Sequence, residues 1–342
     1  MSRRRVVLPC AVILAAGCVT DRSTTPTDPL PPPPPAQPVQ PRWSDPATWA
    51  PAPVPVAGAD VLIPATDTVV LDISPPRLGQ LRIEGRLLVL DSADLELRAA
   101  EVLVAGSFEV GTAARRHRHR FALTLHSGSG SVGVGTKVLG VLPGGTLDLH
   151  GQERLGWTRL AATAEAGATA LVLERAHDWR PGDRVVVAST DFDPNHAEER
   201  LVAGGNGATV QLGAPLAHRH WGVSQSFAGR TVDTRAEVGL LTRNILIQGE
   251  LEGDAGFGGH VISLAGATMR IDGVEFFRMG QAGVIGRYPV HWHMAGSVPG
   301  QYVRHSAIWR TNLRCLTIHG TDDAVAEGNV CYDHSGHGYF LE

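Results

Sequence analysis

From Trp43 onward the apolar residues come in short runs broken by Gly, Asp, Asn or Pro, as in DVLIPATDTVVLD (60–72), QLRIEGRLLVL (80–90) and EVLVAGSFEVG (101–111). Runs of this length and spacing predict strands joined by turns, and almost no segment keeps a helical period. Two runs superpose when slid along the chain: Ile83-Glu84-Gly85-Arg86-Leu87 onto Val104-Ala105-Gly106-Ser107-Phe108. Farther on, Ile271 and Phe276, Val303 and Ile308, and Val325 and Val330 repeat one pair of β-branched or aromatic positions. A repeat of about 20–30 residues built only from strands and turns predicts a parallel β-helix, in which the inward residues of each rung stack on the rung below. A β-sandwich is the competing architecture, but its meander rarely repeats one apolar-Gly-apolar pattern at a steady interval.

Residues 152–235 interrupt the repeat. HDWRPGDRVVVAST (177–190) places a Pro-Gly-Asp turn before a buried-looking strand, and ATVQLGAPLAHRHWG follows at 208–222. This stretch predicts a small β-insert on the solenoid. The resulting division is a G-rich β domain at 42–151, the insert at 152–235 and further rungs at 236–342.

Composition agrees with many tight turns: 40 glycines, 23 prolines and only 19% charged residues in 342. A net charge of −4 gives no basic field of the kind nucleic acid requires. The run Arg115-Arg116-His117-Arg118-His119-Arg120 is a local exception, open to reading as a polyanion contact or a solvated loop. Trp43 and Trp49 fit cap or core positions.

The first 18 residues, MSRRRVVLPCAVILAAGC, combine a basic start, an apolar run and small residues before a cysteine, which predicts an export signal. The ending Leu14-Ala15-Ala16-Gly17-Cys18 looks like a bacterial lipobox, implying that Cys18 is lipidated and that the protein is exported and anchored in the cell envelope, at the outer membrane or cell surface. An ordinary signal peptide with an incidental cysteine is the alternative. Residues 19–41, with five consecutive prolines, suit an extended tether. Two cysteines then remain, Cys315 and Cys331, either disulfide-bonded or buried as thiols on adjacent turns.

Several motifs, in order, resemble the eight-glycine (G-eight) domain family, which includes fibrocystin-like proteins and hyaluronan-depolymerising proteins of the cell migration-inducing hyaluronidase type. They are Trp43-Ser44-Asp45-Pro46-Ala47-Thr48-Trp49, Leu81-Arg82-Ile83-Glu84-Gly85, Asp178-Trp179-Arg180-Pro181-Gly182-Asp183, Gly286-Arg287-Tyr288-Pro289-Val290-His291-Trp292-His293, Arg314-Cys315-Leu316-Thr317-Ile318-His319-Gly320 and Gly336-His337-Gly338-Tyr339-Phe340-Leu341-Glu342. The resemblance implies an all-β protein with a right-handed parallel β-helix acting on extracellular polysaccharide. The chain departs from the depolymerising members in its short loop 297–301 and in Trp309-Arg310, where they carry a histidine pair. It ends where they continue into further rungs, which implies a solenoid cut short.

Candidate chemistry gathers in the last third, where six of the 15 histidines follow residue 287. Strand alternation puts His291 and His293 on one face with Trp292 opposite, and His319 and His337 follow on later rungs. Stacked as a column, these four offer three or four nitrogens to one divalent metal such as zinc. Calcium needs oxygens instead, with Asp322 and Asp323 nearest. The same column also reads as a metal-free sugar site, with Tyr288 and Trp292 as stacking platforms, or as an internal hydrogen-bonded ladder. Glycoside hydrolysis calls for two carboxylates, and Asp322 and Asp333 on neighbouring turns are the expected pair. Elimination would use His291 or His293 as base, and Arg287 suits the carboxylate of an acidic glycan. The expected function is therefore action on an extracellular, acidic polysaccharide, possible as endo-cleavage of a hyaluronan-like polymer, with a non-catalytic adhesin or matrix protein, or an inactive shortened relative, as alternatives.

Overall fold

The structure, a computed structural model, describes residues 40–128, 130, 133–251 and 256–342. The signal, Cys18 and the tether up to residue 39 lie outside the described residues. The described chain is an all-β solenoid with a β-insert.

One parallel stack runs the length of the solenoid through Thr68–Leu71, Arg86–Val89, Ser107–Val110, Thr146–His150, Thr268–Asp272, Tyr302–Arg304 and Val325–Glu327. The facing stack begins as one strand per rung, Val61–Ile63 and then Leu78–Ile83. It divides at the ten-residue strand Leu95–Val104. The first half of this strand pairs with Phe121–Leu125 and its second half with Val138–Val141. Two stacks continue from there. One runs through Ile245–Gly249, Val274–Phe277, Ala307–Thr311 and Val330–His334, the other through His260–Ser263, Val290–Ser297, Leu316–Asp322 and Tyr339–Leu341. A two-sided coil thus becomes three-sided, and one continuous apolar core fills it from Ile63 through Leu81, Phe108, Ile247, Met269 and Trp292 to Ile308.

The repeats seen in the sequence are register partners. Ile83 pairs with Val104, and Ile271 with Val303. In the next rung Val303 pairs with Ala326 and Ile308 with Cys331, so the inward pair sits one residue beyond the expected Val325 and Val330. Cys331, joined to Cys315 by a disulfide, takes the inward place held by Phe276 and Ile308 in earlier rungs, while Val330 packs outward on the cluster of Val186, Leu241, Ala307 and Trp309. Gly106 recurs in the repeat because the backbone of the rung beneath leaves no room for a side chain: a Cβ there would stand 2.0 Å from the Gly85 carbonyl oxygen.

The insert is a six-stranded antiparallel sheet in the order Trp157–Arg159, Glu237–Leu240, Arg184–Val187, Glu198–Asn206, Thr209–Leu212, Ala170–Val172, with a hairpin at Gln225–Phe227 and Arg230–Val232. It has its own core around Leu160, Trp179, Val185, Val202 and Val210. Val186 and Leu241 pack it against Ala307 and Trp309 of the solenoid. Among the described residues, no helix is long and apolar enough to cross a membrane.

Candidate functional site

The strands Val290–Ser297 and Leu316–Asp322 lie side by side in parallel, with His293 opposite His319 and His291 opposite Thr317. Alternation sends Trp292 inward, where it is fully buried and donates from Nε1 to Gln301 Oε1 at 3.0 Å. His291 and His293 turn the other way and meet His319. One ligand atom from each of the three lies within 4.8 Å of the others. Nδ1 of His293 and Nδ1 of His319 are 3.3 Å apart.

His291 is fully buried. Its Nδ1 lies 3.1 Å from the Gly286 carbonyl oxygen, which makes Nδ1 the protonated nitrogen and leaves the Nε2 lone pair free. That Nε2 is buried with no hydrogen-bond partner. Burial, then the neighbouring imidazoles, push its pKa down to about 4. Burial and His319 also lower that of His293. His291 and His293 held neutral in this way have unshared nitrogen lone pairs to offer, the state that metal ligation requires.

The column does not continue to His337. Leu316 pairs with Tyr339 and Ile318 with Leu341, so Phe340 stands in line with His291 and Thr317, and Glu342 comes beside His319. Backbone bonds hold Glu342 there, from its own N–H to Ile318 O and from Gly320 N–H to its carbonyl. Its carboxylate accepts from Arg314 Nη1 at 2.7 Å. His337 is exposed in the preceding turn, its ring packed on Phe340 at 4.8 Å, outside the three-histidine group.

Two expected sugar platforms are not free surfaces. Trp292 belongs to the core, and Tyr288 is 3% exposed, with the Arg314 guanidinium over its ring at 4.7 Å. Arg287 is half-buried and donates to the carbonyls of Val134 and Gly133. Its Nη1 also lies 3.5 Å from Nε2 of the buried His260, whose pKa burial and Arg287 push down to about 3. The expected carboxylate pair is separated. Asp322 is exposed at the far end of its strand, where its carbonyl accepts from Val298 N–H. Asp333 lies on a different stack, 3.7 Å from Arg310, which also reaches Glu199 of the insert. Neither is part of the histidine group. In the 115–120 run, Arg116 is bound to Asp272 and His119 to Asp91, which ties this segment to the solenoid.

The histidines lie within residues 256–342, which match the CEMIP beta-helix model, and residues 48–161 match the G8 domain model. The chain is a G8-domain protein. The G8 match covers the two-sided coil and its division, and the CEMIP match covers the last three-sided rungs; most of the insert falls between them. This G8-domain chain is 36% identical to human fibrocystin-L over 351 aligned positions, 88% of the chain and 8% of fibrocystin-L. It is 32% identical to a G8 domain-containing protein of Dictyostelium discoideum, over 88% of the chain and 27% of that protein. The chain therefore spans a small part of these relatives. Among solved structures, the tailspike protein gp49 of Pseudomonas phage LKA1 aligns over 81% of the chain and 40% of the tailspike, at 13% identity and a TM-score of 0.24.

Proposed function

We propose that this G8-domain chain acts on an extracellular polysaccharide, with its chemistry centred on a divalent transition metal held by His291, His293 and His319. The observation that carries the reading is the buried, unpartnered Nε2 of His291 beside two further imidazoles. A buried acceptor left unmade costs about 1–3 kcal/mol, and a metal in that place satisfies it. The donor set fits zinc or a similar ion better than calcium, which needs oxygen ligands. When bound, such an ion polarises a coordinated water or a sugar oxygen. The chain's own part is to keep His291 and His293 neutral by burial and to fix His291 by its bond to Gly286. Glu342, beside His319 and held by Arg314, is the carboxylate placed to take or give a proton there. Cleavage through a pair formed by Asp322 and Asp333 is disfavoured, since the two lie on different stacks. Export and lipid anchoring at Cys18 complete the reading, with an acidic glycan of the hyaluronan class as substrate.

The test uses the full chain with hyaluronan and other acidic polysaccharides, following polymer length with and without a chelator. Shortening that stops on chelation and in His319→Ala supports the reading. Binding without shortening overturns the cleavage and leaves a polysaccharide-binding protein. Incorporation of a labelled lipid that is lost in Cys18→Ser tests the anchor.

A further inference from the structure

A cavity of about 280 Å³ opens where the insert meets the stack that runs the length of the solenoid, and Arg116, Glu153, Trp157, Arg175, Asp272 and His305 line it. None of its lining belongs to the strands that carry the three histidines. Gly156 and Gly328 also face it, and behind Gly156 lies the guanidinium of Arg243: a Cβ on Gly156 would stand 3.3 Å from Arg243 Nη2.

Arg243 is 4% exposed. Its Nε donates to His305 O at 3.0 Å, and its Nη1 to Leu240 O and Thr242 O at 2.7 and 2.9 Å. Nη2 is buried with no partner. The nearby carboxylate of Glu275 is occupied otherwise, accepting from the Arg243 backbone N–H and from Trp309 Nε1. A buried cationic N–H without an acceptor is costly, and the cost is relieved when an oxygen is brought to it.

Two more donors at the same cavity lack acceptors. His305 is held through Nδ1 by Asp272 at 3.0 Å, and Asp272 is held on its other oxygen by Arg116 at 2.8 Å. Its hydrogen bond to Asp272 raises the pKa of His305 above the ordinary value, and in the imidazolium form Nε2 carries an N–H with no hydrogen-bond partner among the described residues. Arg175 is exposed and likewise has no ion pair or hydrogen bond among the described residues. Arg154, also in the lining, is already taken by Asp178 and Asp183. With Asp272 neutralised by Arg116 and His305, Glu153 is the one carboxylate of the lining set against Arg243, His305 and Arg175. Donors in excess, around a half-buried indole, describe the counterpart of an oxygen-rich anion.

We propose that this cavity is an oxyanion-binding site, independent of the histidine cluster, that takes a carboxylate or sulfate carried on a sugar-sized ring. Protonated His305 Nε2 and Arg175 supply the donors at the wall, Arg243 adds its positive charge from behind Gly156, and Trp157 supplies a flat wall for the ring. The volume, about 280 Å³, lies just below the roughly 300–1,000 Å³ usual for ligand pockets, so it admits one ring and not a chain segment.

The test is calorimetric titration of the full chain with methyl glucuronide, glucose 6-sulfate, inorganic sulfate and neutral methyl glucoside. At least one charged sugar binds ten-fold or more tightly than methyl glucoside, and the tighter one identifies carboxylate or sulfate as the group recognised. Arg175→Ala, on an exposed side chain that the fold does not use, weakens that binding several-fold. Gly156→Ala, which sets a methyl over Nη2, weakens it about ten-fold. His319→Ala leaves it unchanged, so loss of the histidine reading does not carry this one with it. The proposal is overturned if neither charged sugar exceeds methyl glucoside, if both cavity variants bind like the parent, or if inorganic sulfate binds as tightly as the sugars.

Discussion

His291 Nε2 has no proton and no donor to meet it, and this is what separates the histidine group from an ordinary buried ladder. It has a consequence for stability without metal. The unfolded chain takes up a proton on His291 below pH about 6.5, whereas the folded chain resists protonation until about pH 4. The fold therefore loses stability as pH falls across that window, on the order of 3 kcal/mol for this residue. Asp91, Asp272 and Glu198, held down at about 2, retain their contribution through most of that window and lose it below it. Urea midpoints measured from pH 7 to 4.5 in chelator should fall for the parent and fall less for His291→Gln; equal slopes would contradict the assignment. Much of this site was legible in the sequence, because alternation alone pairs His291 with His293 and sends Trp292 to the core. His337 was misleading for a geometric reason. It follows His319 by 18 positions, while the register advances 23, from Leu316 to Tyr339. Glu342 follows His319 by 23, so it takes the place beside His319.

At the scale of the strand and the rung, the repeating Gly and the disulfide determine how tightly turns stack. A Cβ on Gly106 meets backbone atoms of Gly85 and Glu84 at 2.0 and 2.2 Å, neither of which can swing away. Gly106→Ala should therefore destabilise by about 2 kcal/mol or more, in the range of other overpacked substitutions, as a lower urea midpoint. Cys315 and Cys331 close a loop with a sequence separation of 16, worth about 3 kcal/mol in the chain-entropy account. The Cys315→Ala/Cys331→Ala pair should lose that amount, and reduction should bring the parent to the same midpoint. The apolar-Gly-apolar repeat made the early rungs visible as a sequence pattern, since Ile83 and Val104 are true register partners. The division at Leu95–Val104 was not visible, because one continuous strand serves two later stacks and no Gly or Pro marks where the partners change. The one-residue slip to Ala326 and Cys331 was hidden for a related reason: a disulfide cysteine fills an inward place that the pattern assigns to Val330.

Across the whole molecule, the G8 segment and the CEMIP beta-helix segment share one continuous core, and the antiparallel insert between them packs on the solenoid's side. The solenoid lays strands from successive rungs in register, which is how residues 26 positions apart, His293 and His319, come to share one site. It also gives the insert a wall against which His305 and Arg175 line a cavity, with Arg243 behind Gly156. The central claim is that the three imidazoles form a metal centre. Metal content of the full chain after equilibration with zinc and exhaustive dialysis tests it most directly. The account predicts close to one zinc per chain, reduced to near zero in His319→Ala while the urea midpoint of the metal-free chain changes little. A parent chain that retains no metal, or a His319→Ala chain that retains as much as the parent, would contradict it.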